Sequence, residues 1–131
     1  MSPIRKVVTA PKAPAAVGPY SAGIQIDNLV YTAGQIPLDP ENGQLVAGEI
    51  EEQTQQALTN LKNVLEAAGS SLEWVVKTTV FLQNMGDFAR MNSVYAEFFQ
   101  SDPPARSAVE VSALPLGALV EVEAVAAIPG K

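Results

Sequence analysis

The sequence predicts one domain of two layers, in which two helices cover one face of a sheet of five or six strands. Three observations favour this fold. The elements follow one another as strand, hairpin, helix, strand, helix and hairpin. Only two segments have clear helical periodicity, and two amphipathic helices can cover one face of such a sheet but not both. The 131 residues are nearly half apolar and contain no linker or repeat, so residues 1–131 fit a single domain.

After the opening strand, the first elements form a hairpin. Two apolar runs, Gly23–Ile26 and Leu29–Ala33, are separated by Asp27 and Asn28, and both of these polar residues tolerate turn conformations. A proline-containing loop then extends to about Ala47.

Two helices and a strand follow the loop. Glu49–Ala68 has apolar residues at three- and four-residue spacing and glutamates in its first turn, where the helix dipole favours negative charge, and Gly69 ends it. Trp74–Leu82 is rich in the branched and aromatic residues of a strand. Asp87 is suited to cap a second amphipathic helix, which extends to about Phe99.

The chain closes with two strands, at about Arg106–Ser112 and Ala118–Ala127. One face of the last strand is uninterruptedly apolar, which suits the helices, whereas the other mixes Glu121 and Glu123 with apolar residues. That second face is too apolar for open water, so we expect another subunit to cover it. If the two strands pair as an antiparallel hairpin, Arg106 lies on this interface face together with Glu121.

Composition excludes several kinds of chemistry. Eight basic and fourteen acidic residues give a net charge of −6, which disfavours nucleic acid and anionic membranes as partners. Without cysteine or histidine there is no thiol catalysis and no ordinary zinc site, and acid–base work falls to carboxylates, tyrosine, lysine or water. The N-terminus lacks the apolar core of a signal peptide, and no apolar run reaches membrane-spanning length. We therefore expect a cytoplasmic protein.

The isolated charges of the last two strands are the first candidates for a site. The guanidinium of Arg106 is suited to grip a carboxylate or phosphate, but its position alone favours a structural ion pair with Glu110, Glu121 or Glu123. A half-buried glutamate is suited to act as a general base or to position water. Spacing alone does not rank the three glutamates.

Three further residues are candidates on weaker grounds. Asn92 lies beside the apolar stripe of the second helix, where its amide can bind a ligand, although its position alone favours an ordinary asparagine at the boundary between the buried and exposed sides. Tyr20 can present its hydroxyl to a pocket or pack at an interface. Gly34 indicates a turn or a close backbone approach. It belongs to no phosphate-binding motif.

Several segments together resemble the RidA family, the reactive intermediate deaminases also called YjgF-like proteins. The resemblance extends over about Val7–Ile128, and its most specific part is the run PARS, followed fifteen positions after its arginine by a glutamate. The segments that carry it are "VGPYSAG", "VYTAGQIPLDPENGQLV", "QTQQALTNLKNVLEAAGSSLEWVVKTTVFLQNMGDFARMN", "YAEFF" and "PPARSAVEVSALPLGALVEVEAVA".

The resemblance implies an α+β, chorismate-mutase-like fold that forms a homotrimer, with the second sheet face toward the trimer centre and active sites in the clefts between subunits. It implies hydrolysis of 2-iminobutanoate, 2-iminopropanoate and their enamine tautomers to 2-oxo acids and ammonia, without cofactor or metal. By motif, Arg106 would clamp the substrate carboxylate and Glu121 would position or activate the attacking water. The other residues implied to line the site are Tyr20, Ala33, Gly34, Asn92 and Ala108.

Two positions depart from the common pattern of the family. Many relatives have serine at the place of Ala33 and cysteine at the place of Ala108. These departures leave open a non-catalytic regulator or sensor that binds small carboxylates in the same clefts. A third possibility is an RNA-cleaving translation inhibitor, an activity attributed to some relatives. The missing histidine and the acidic charge balance disfavour it.

Overall fold

The computed structural model describes residues 2–130, so Met1 and Lys131 of the predicted domain lie outside the described residues. Each predicted element is present, with its ends within about two residues of those expected from the sequence. The elements in chain order are β1 (Arg5–Val8), β2 (Gly23–Ile26), β3 (Leu29–Thr32), α1 (Ile50–Ala67), β4 (Val75–Leu82), α2 (Phe88–Phe98), β5 (Ala105–Glu110) and β6 (Val120–Ala127).

The six strands form one mixed sheet in the order β1-β2-β3-β6-β4-β5. Every neighbouring pair is antiparallel except β4 and β5, which are parallel. Both helices lie on one face of this sheet, where they enclose the core. The architecture is therefore α+β, as predicted.

The predicted hairpin of the last two strands is wrong. β5 pairs with β4, and β4 lies between β5 and β6. The reason is the helix between β4 and β5: α2 serves as a crossover connection, and such connections return the chain parallel to the strand it left. β5 therefore forms an edge of the sheet, and β6 inserts on the far side of β4.

This strand order also overturns the predicted orientation of β5. Neighbouring residues in register share a face of the sheet, and Arg106 lies beside Thr78, which in turn lies beside Ala124 of the helix-covered face. Glu121 lies beside Phe81 on the opposite face. Arg106 and Glu121 of one chain are thus on opposite faces, not on the shared face that the hairpin implied.

The first helix owes its position to its apolar stripe and its cap. Glu49 and Glu52 form a reciprocal capping box at its N-terminus. Gly69 follows its end in the left-handed region at φ +84°. The stripe buries the side chains of Ile50, Ala57, Leu58, Leu61, Val64 and Leu65 against the sheet.

The second helix begins differently from the prediction. Asp87 is its first flanking residue but makes no side-chain cap. Asn84 instead caps a short 3₁₀ turn, Met85–Asp87, by accepting a hydrogen bond from the amide of Gly86.

The sheet face away from the helices carries half-exposed apolar side chains. Val7, Tyr31 and Val109 on this face are 59%, 48% and 42% exposed. The outward residues of β6, from Glu121 to Ala127, are partly exposed in the same way. That a second subunit covers this face remains a prediction. Among residues 2–130, no helix is long and apolar enough to cross a membrane.

Candidate active site in two halves

Four of the predicted site residues surround one cavity on the side of the sheet away from the helices. Tyr20, Ala33, Gly34 and Glu121 line a space of about 270 Å³. Three apolar residues complete its wall: Val17, Ile36 and Pro115. We call this group the Glu121 half-site.

An isolated antiparallel β-bridge between Gln35 and Val122 brings these residues together. The amide of Gln35 donates to the carbonyl of Val122 at 2.8 Å, and the amide of Val122 donates back to the carbonyl of Gln35 at 3.0 Å. Gln35 follows Gly34 and Val122 follows Glu121, so the bridge sets the glycine against the carboxylate.

The close approach at Gly34 explains why this position is glycine. A Cβ atom built there would lie 2.7 Å from the carboxyl carbon of Glu121 and 2.9 Å from its Cγ. Both distances are shorter than van der Waals contact, so the absence of a side chain makes room for the carboxyl group.

Tyr20 lies at the mouth of this cavity with 47% of its surface exposed. Its hydroxyl accepts a hydrogen bond from the amide of Val17 at 3.2 Å, which fixes the ring against the preceding loop. The hydroxyl hydrogen remains available as a donor to a ligand.

The environment of Glu121 favours its protonated form. Partial burial raises the pKa of this carboxyl above its ordinary value, and the negative charge of Glu123, two residues along the same face, raises the pKa further. A carboxylate with a raised pKa is a stronger base than a solvated one, which suits it to accept a proton from water.

The second half-site lies on the helix-covered face, at the edge strand β5. One guanidinium nitrogen of Arg106, Nη1, donates to Oδ1 of Asn92 at 2.8 Å. The guanidinium carbon lies 4.7 Å from the ring centre of Tyr95 and 5.5 Å from that of Phe88, both within cation–π range. Ala108 follows two residues later on the same face and packs partly buried against the core. We call this group the Arg106 half-site.

Arg106 has no carboxylate partner in the part of the chain that the structure describes. The alternative of a structural ion pair is therefore not seen with any of the three glutamates considered. Glu110 instead accepts a hydrogen bond from the amide of Met85 at 2.7 Å. Arg106 retains N–H donors for an external anion.

The structure thus sorts the predicted residues into two groups within one chain. Tyr20, Ala33, Gly34 and Glu121 form one group, and Asn92, Arg106 and Ala108 form the other. The sheet lies between them. Within residues 2–130, no cluster of three or more acidic, histidine or cysteine side chains is arranged to hold a metal ion.

Sequence reasoning missed the part played by Tyr95, which was not among the predicted site residues. A signal was present. Phe88, Asn92 and Tyr95 are spaced by four and three residues, so they share one side of α2. The parallel pairing of β5 with β4, which the sequence analysis did not predict, places the cation of Arg106 over that side.

The six-stranded mixed sheet with two helices matches the fold of the small YjgF-like α+β proteins. Yeast YEO7 has this fold: its crystal structure superposes with a TM-score of 0.92 at 47% identity, covering 95% of this chain and 98% of that one. E. coli TdcF, whose crystal structure contains bound serine, superposes with a TM-score of 0.89 at 39% identity, covering 93% and 98%.

Sequence comparison identifies the family. The profile of the family described as Endoribonuclease L-PSP matches residues 10–128. The 2-iminobutanoate/2-iminopropanoate deaminase of Mus musculus is 52% identical over 123 residues, which is 94% of this chain and 91% of that protein. The chain therefore belongs to this family, the RidA or YjgF-like proteins.

Proposed function

We propose that this chain is a 2-iminobutanoate/2-iminopropanoate deaminase, which hydrolyses these imines to 2-oxo acids and ammonia. The observation that carries the proposal is the state of Arg106: its guanidinium is held by neutral groups and has no carboxylate partner among the described residues. Such a group is prepared to bind a substrate carboxylate through parallel N–H donors. The serine bound to the relative TdcF is a ligand of related shape, with a carboxylate next to a carbon that bears nitrogen.

The reaction needs little more than orientation and a base. The carbon of a protonated imine is electrophilic, so water can attack it once the carboxylate is fixed by Arg106. Glu121 accepts a proton from the water as the new C–O bond forms, which gives an amino alcohol. Glu121 then passes this proton to nitrogen. It takes up the remaining hydroxyl proton as the C–N bond breaks, ammonia leaves and the C=O bond of the 2-oxo acid forms. Water supplies the oxygen, and no electrons are exchanged with a cofactor.

The placement of the two half-sites favours a composite site. Because Arg106 and Glu121 of one chain lie on opposite faces of the sheet, a substrate that touches both must lie between two copies. We place this site in a homotrimer of chorismate-mutase-like arrangement, with the open sheet face toward the centre. The Arg106 half-site then comes from one subunit and the Glu121 half-site from its neighbour. The half-exposed apolar side chains of the open face support this arrangement.

The direct test couples a serine/threonine dehydratase to this protein and follows loss of the imine by semicarbazide trapping. Wild type should accelerate the loss. Arg106→Ala should lower kcat/KM about 100-fold or more, since it removes one partner of a charged pair. Arg90→Ala is the matched control, because Arg90 makes only exposed ion pairs with Glu49 and Glu51 and should leave the rate unchanged.

Two other outcomes would point to different functions. If Arg106→Ala kept full activity, the assigned clamp would be wrong. If the folded wild type bound 2-oxobutanoate but did not accelerate imine loss, the chain would act as a carboxylate-binding regulator. The loss of a hydroxyl at Ala33 and of a thiol at Ala108 would then be the leading explanation.

The name of the family raises RNA cleavage as a further candidate. A net charge of −6 and the absence of histidine weigh against it, because RNA binding relies on clustered cations and cleavage on a proton-transfer pair. RNA cleavage by a metal-free preparation that Arg106→Ala abolished would favour this candidate instead.

A further inference from the structure

Helix α2 surrounds the guanidinium of Arg106 with one amide and two aromatic rings. Asn92 accepts a hydrogen bond from Nη1, and the rings of Tyr95 and Phe88 lie 4.7 Å and 5.5 Å from the guanidinium carbon. Each of these groups is uncharged. We call the three side chains the α2 cradle.

Tyr95 is the fixed member of the cradle. Its hydroxyl and Oγ1 of Thr78 are 2.7 Å apart, and Thr78 is buried beside Arg106 in the parallel register of β4 and β5. Its ring also packs against Phe99 with 4.7 Å between centres. Burial raises the pKa of the phenol, so the ring stays neutral at physiological pH. The strand that lies next to Arg106 therefore holds the ring against which Arg106 packs.

A ring face fixes a guanidinium without using its N–H donors. Arg has five N–H donors, the described hydrogen bond to Asn92 uses one, and a cation–π contact uses none. A structural carboxylate in the same place would occupy two donors and neutralise the charge. The cradle thus holds the cation while leaving its donor edge for a ligand.

We propose that Tyr95 is a positioning residue for the reaction: its ring, fixed by Thr78, orients Arg106 to bind the substrate carboxylate. This inference rests on the proposed function, in which Arg106 is the carboxylate clamp. Tyr95 itself is not assigned a contact with the reacting atoms. Its effect is expected in substrate binding, because the Glu121 half-site lies on the other face of the sheet.

The test measures binding of 2-oxobutanoate by calorimetry and steady-state imine hydrolysis in the same variants. Tyr95→Leu removes the ring face and should weaken binding by about 3- to 30-fold, in line with the strength of cation–π contacts. KM should rise by a similar factor while kcat stays within about twofold. Met91→Leu is the matched control, because Met91 is fully buried on the same helix with no described contact to Arg106. Its affinity should equal that of wild type.

A double-mutant cycle tests the hydroxyl contact without removing the ring. Tyr95→Phe and Thr78→Val should each weaken binding about threefold, since each removes the hydrogen bond that fixes the ring. The double variant should be no weaker than either single variant, because both changes break the same contact.

The outcomes separate this inference from the proposed function. If wild type hydrolyses imines and every variant binds 2-oxobutanoate as wild type does, the role of Tyr95 is wrong and the deaminase stands. If wild type binds the ligand without hydrolysis and Tyr95→Leu weakens binding, the cradle stands and the deaminase fails. Equal loss of kcat and affinity in Tyr95→Leu and Met91→Leu would indicate general disruption of the helix and overturn the inference. If wild type neither bound 2-oxobutanoate nor accelerated imine loss, both would be overturned.

Discussion

Two glutamates of this chain show how the environment shifts the pKa of the same side chain in opposite directions. Glu51 accepts hydrogen bonds from Arg90, and these lower the pKa of its carboxyl. Glu121 is partly buried beside Glu123 without a cationic partner among the described residues, and its pKa is raised. A carboxyl group with a raised pKa in a cavity is typical of groups that exchange protons. The sequence alone did not rank Glu121 above Glu110 or Glu123, since this difference depends on burial.

The charge of Glu123 provides a prediction about pH. If Glu121 acts as a carboxylate base, kcat/KM falls on the acid side as pH drops through its pKa, which is raised above its ordinary value. Glu123→Gln removes the like charge, lowers the pKa of Glu121, and should move the acid limb to lower pH. The rate on the plateau should stay within about twofold.

The measurement is the pH profile of kcat/KM for wild type, Glu123→Gln and Glu66→Gln. Glu66 is an exposed carboxylate of α1. Glu66→Gln changes the net charge by the same amount as Glu123→Gln, but it should leave the acid limb of the kcat/KM profile where it is in wild type. If the acid limb does not move in Glu123→Gln, the titration that produces it belongs to a group other than Glu121. The same raised pKa affects stability: Glu121 favours the folded state at low pH, and this contribution is lost as pH rises through its folded pKa.

At the scale of elements, local patterns predicted more than pairing did. The hairpin β2–β3 and helix α1 were predicted nearly to the residue, because turn residues, periodicity and end signals lie within the segments themselves. The pairing of β5 was wrong because the nearest strand in sequence, β6, is not its neighbour in space. The strand–helix–strand order of β4, α2 and β5 was the available sign of a parallel pair.

The candidate site depended on the same long-range pairing. The resemblance to a family supplied its members, but not their separation onto two faces of the sheet. Gly34 and Glu121 meet only because Gln35 pairs with Val122 far along the chain. Tyr95 acquired a role only once β5 lay parallel beside β4, and no short-range pattern contains that information.

Helix α1 carries a buried amide that anchors the segment after Gly34, and this supports a prediction about stability. Nδ2 of Asn60, which is fully buried, donates to the carbonyls of Ile36 at 3.1 Å and Leu38 at 2.9 Å. Asn60→Ala leaves both carbonyls without this donor, so the free energy of unfolding should fall by about 3 kcal/mol. The imine hydrolysis rate should also fall, since the anchored segment continues from the Glu121 half-site.

Asn63→Ala is the control for Asn60→Ala. Asn63 lies one turn further along α1 and donates to the carbonyl of Lys12 at 3.1 Å near the surface, so its loss should cost about 1 kcal/mol or less. Both variants are unfolded in urea at one protein concentration, because assembly would make stability depend on concentration. Equal destabilisation by the two variants would contradict the anchoring role of Asn60.

At the scale of the whole molecule, the two faces of the sheet have different surroundings. One face is buried under both helices, while the other presents half-exposed side chains such as Tyr31 and Val109 to its surroundings. Each face carries one half-site. In a single chain, the carboxylate clamp Arg106 lies on the helix-covered face, whereas the base Glu121 lies on the open face. Assembly around a threefold axis would bring each clamp to a neighbour's base.

The composite site can be tested by mixing two inactive proteins. Arg106→Ala keeps an intact Glu121 half-site, and Glu121→Ala keeps an intact Arg106 half-site. When the two are unfolded together and refolded as random trimers, about a quarter of the sites should combine two intact halves and recover wild-type turnover.

Wild type refolded with the double variant Arg106→Ala/Glu121→Ala gives the reciprocal control. Its activity should fall from half to about a quarter of that of wild type alone, because mixing now separates intact halves. Activity that stays at the level of the separate variants in the first mixture would mean that the two residues do not meet across subunits.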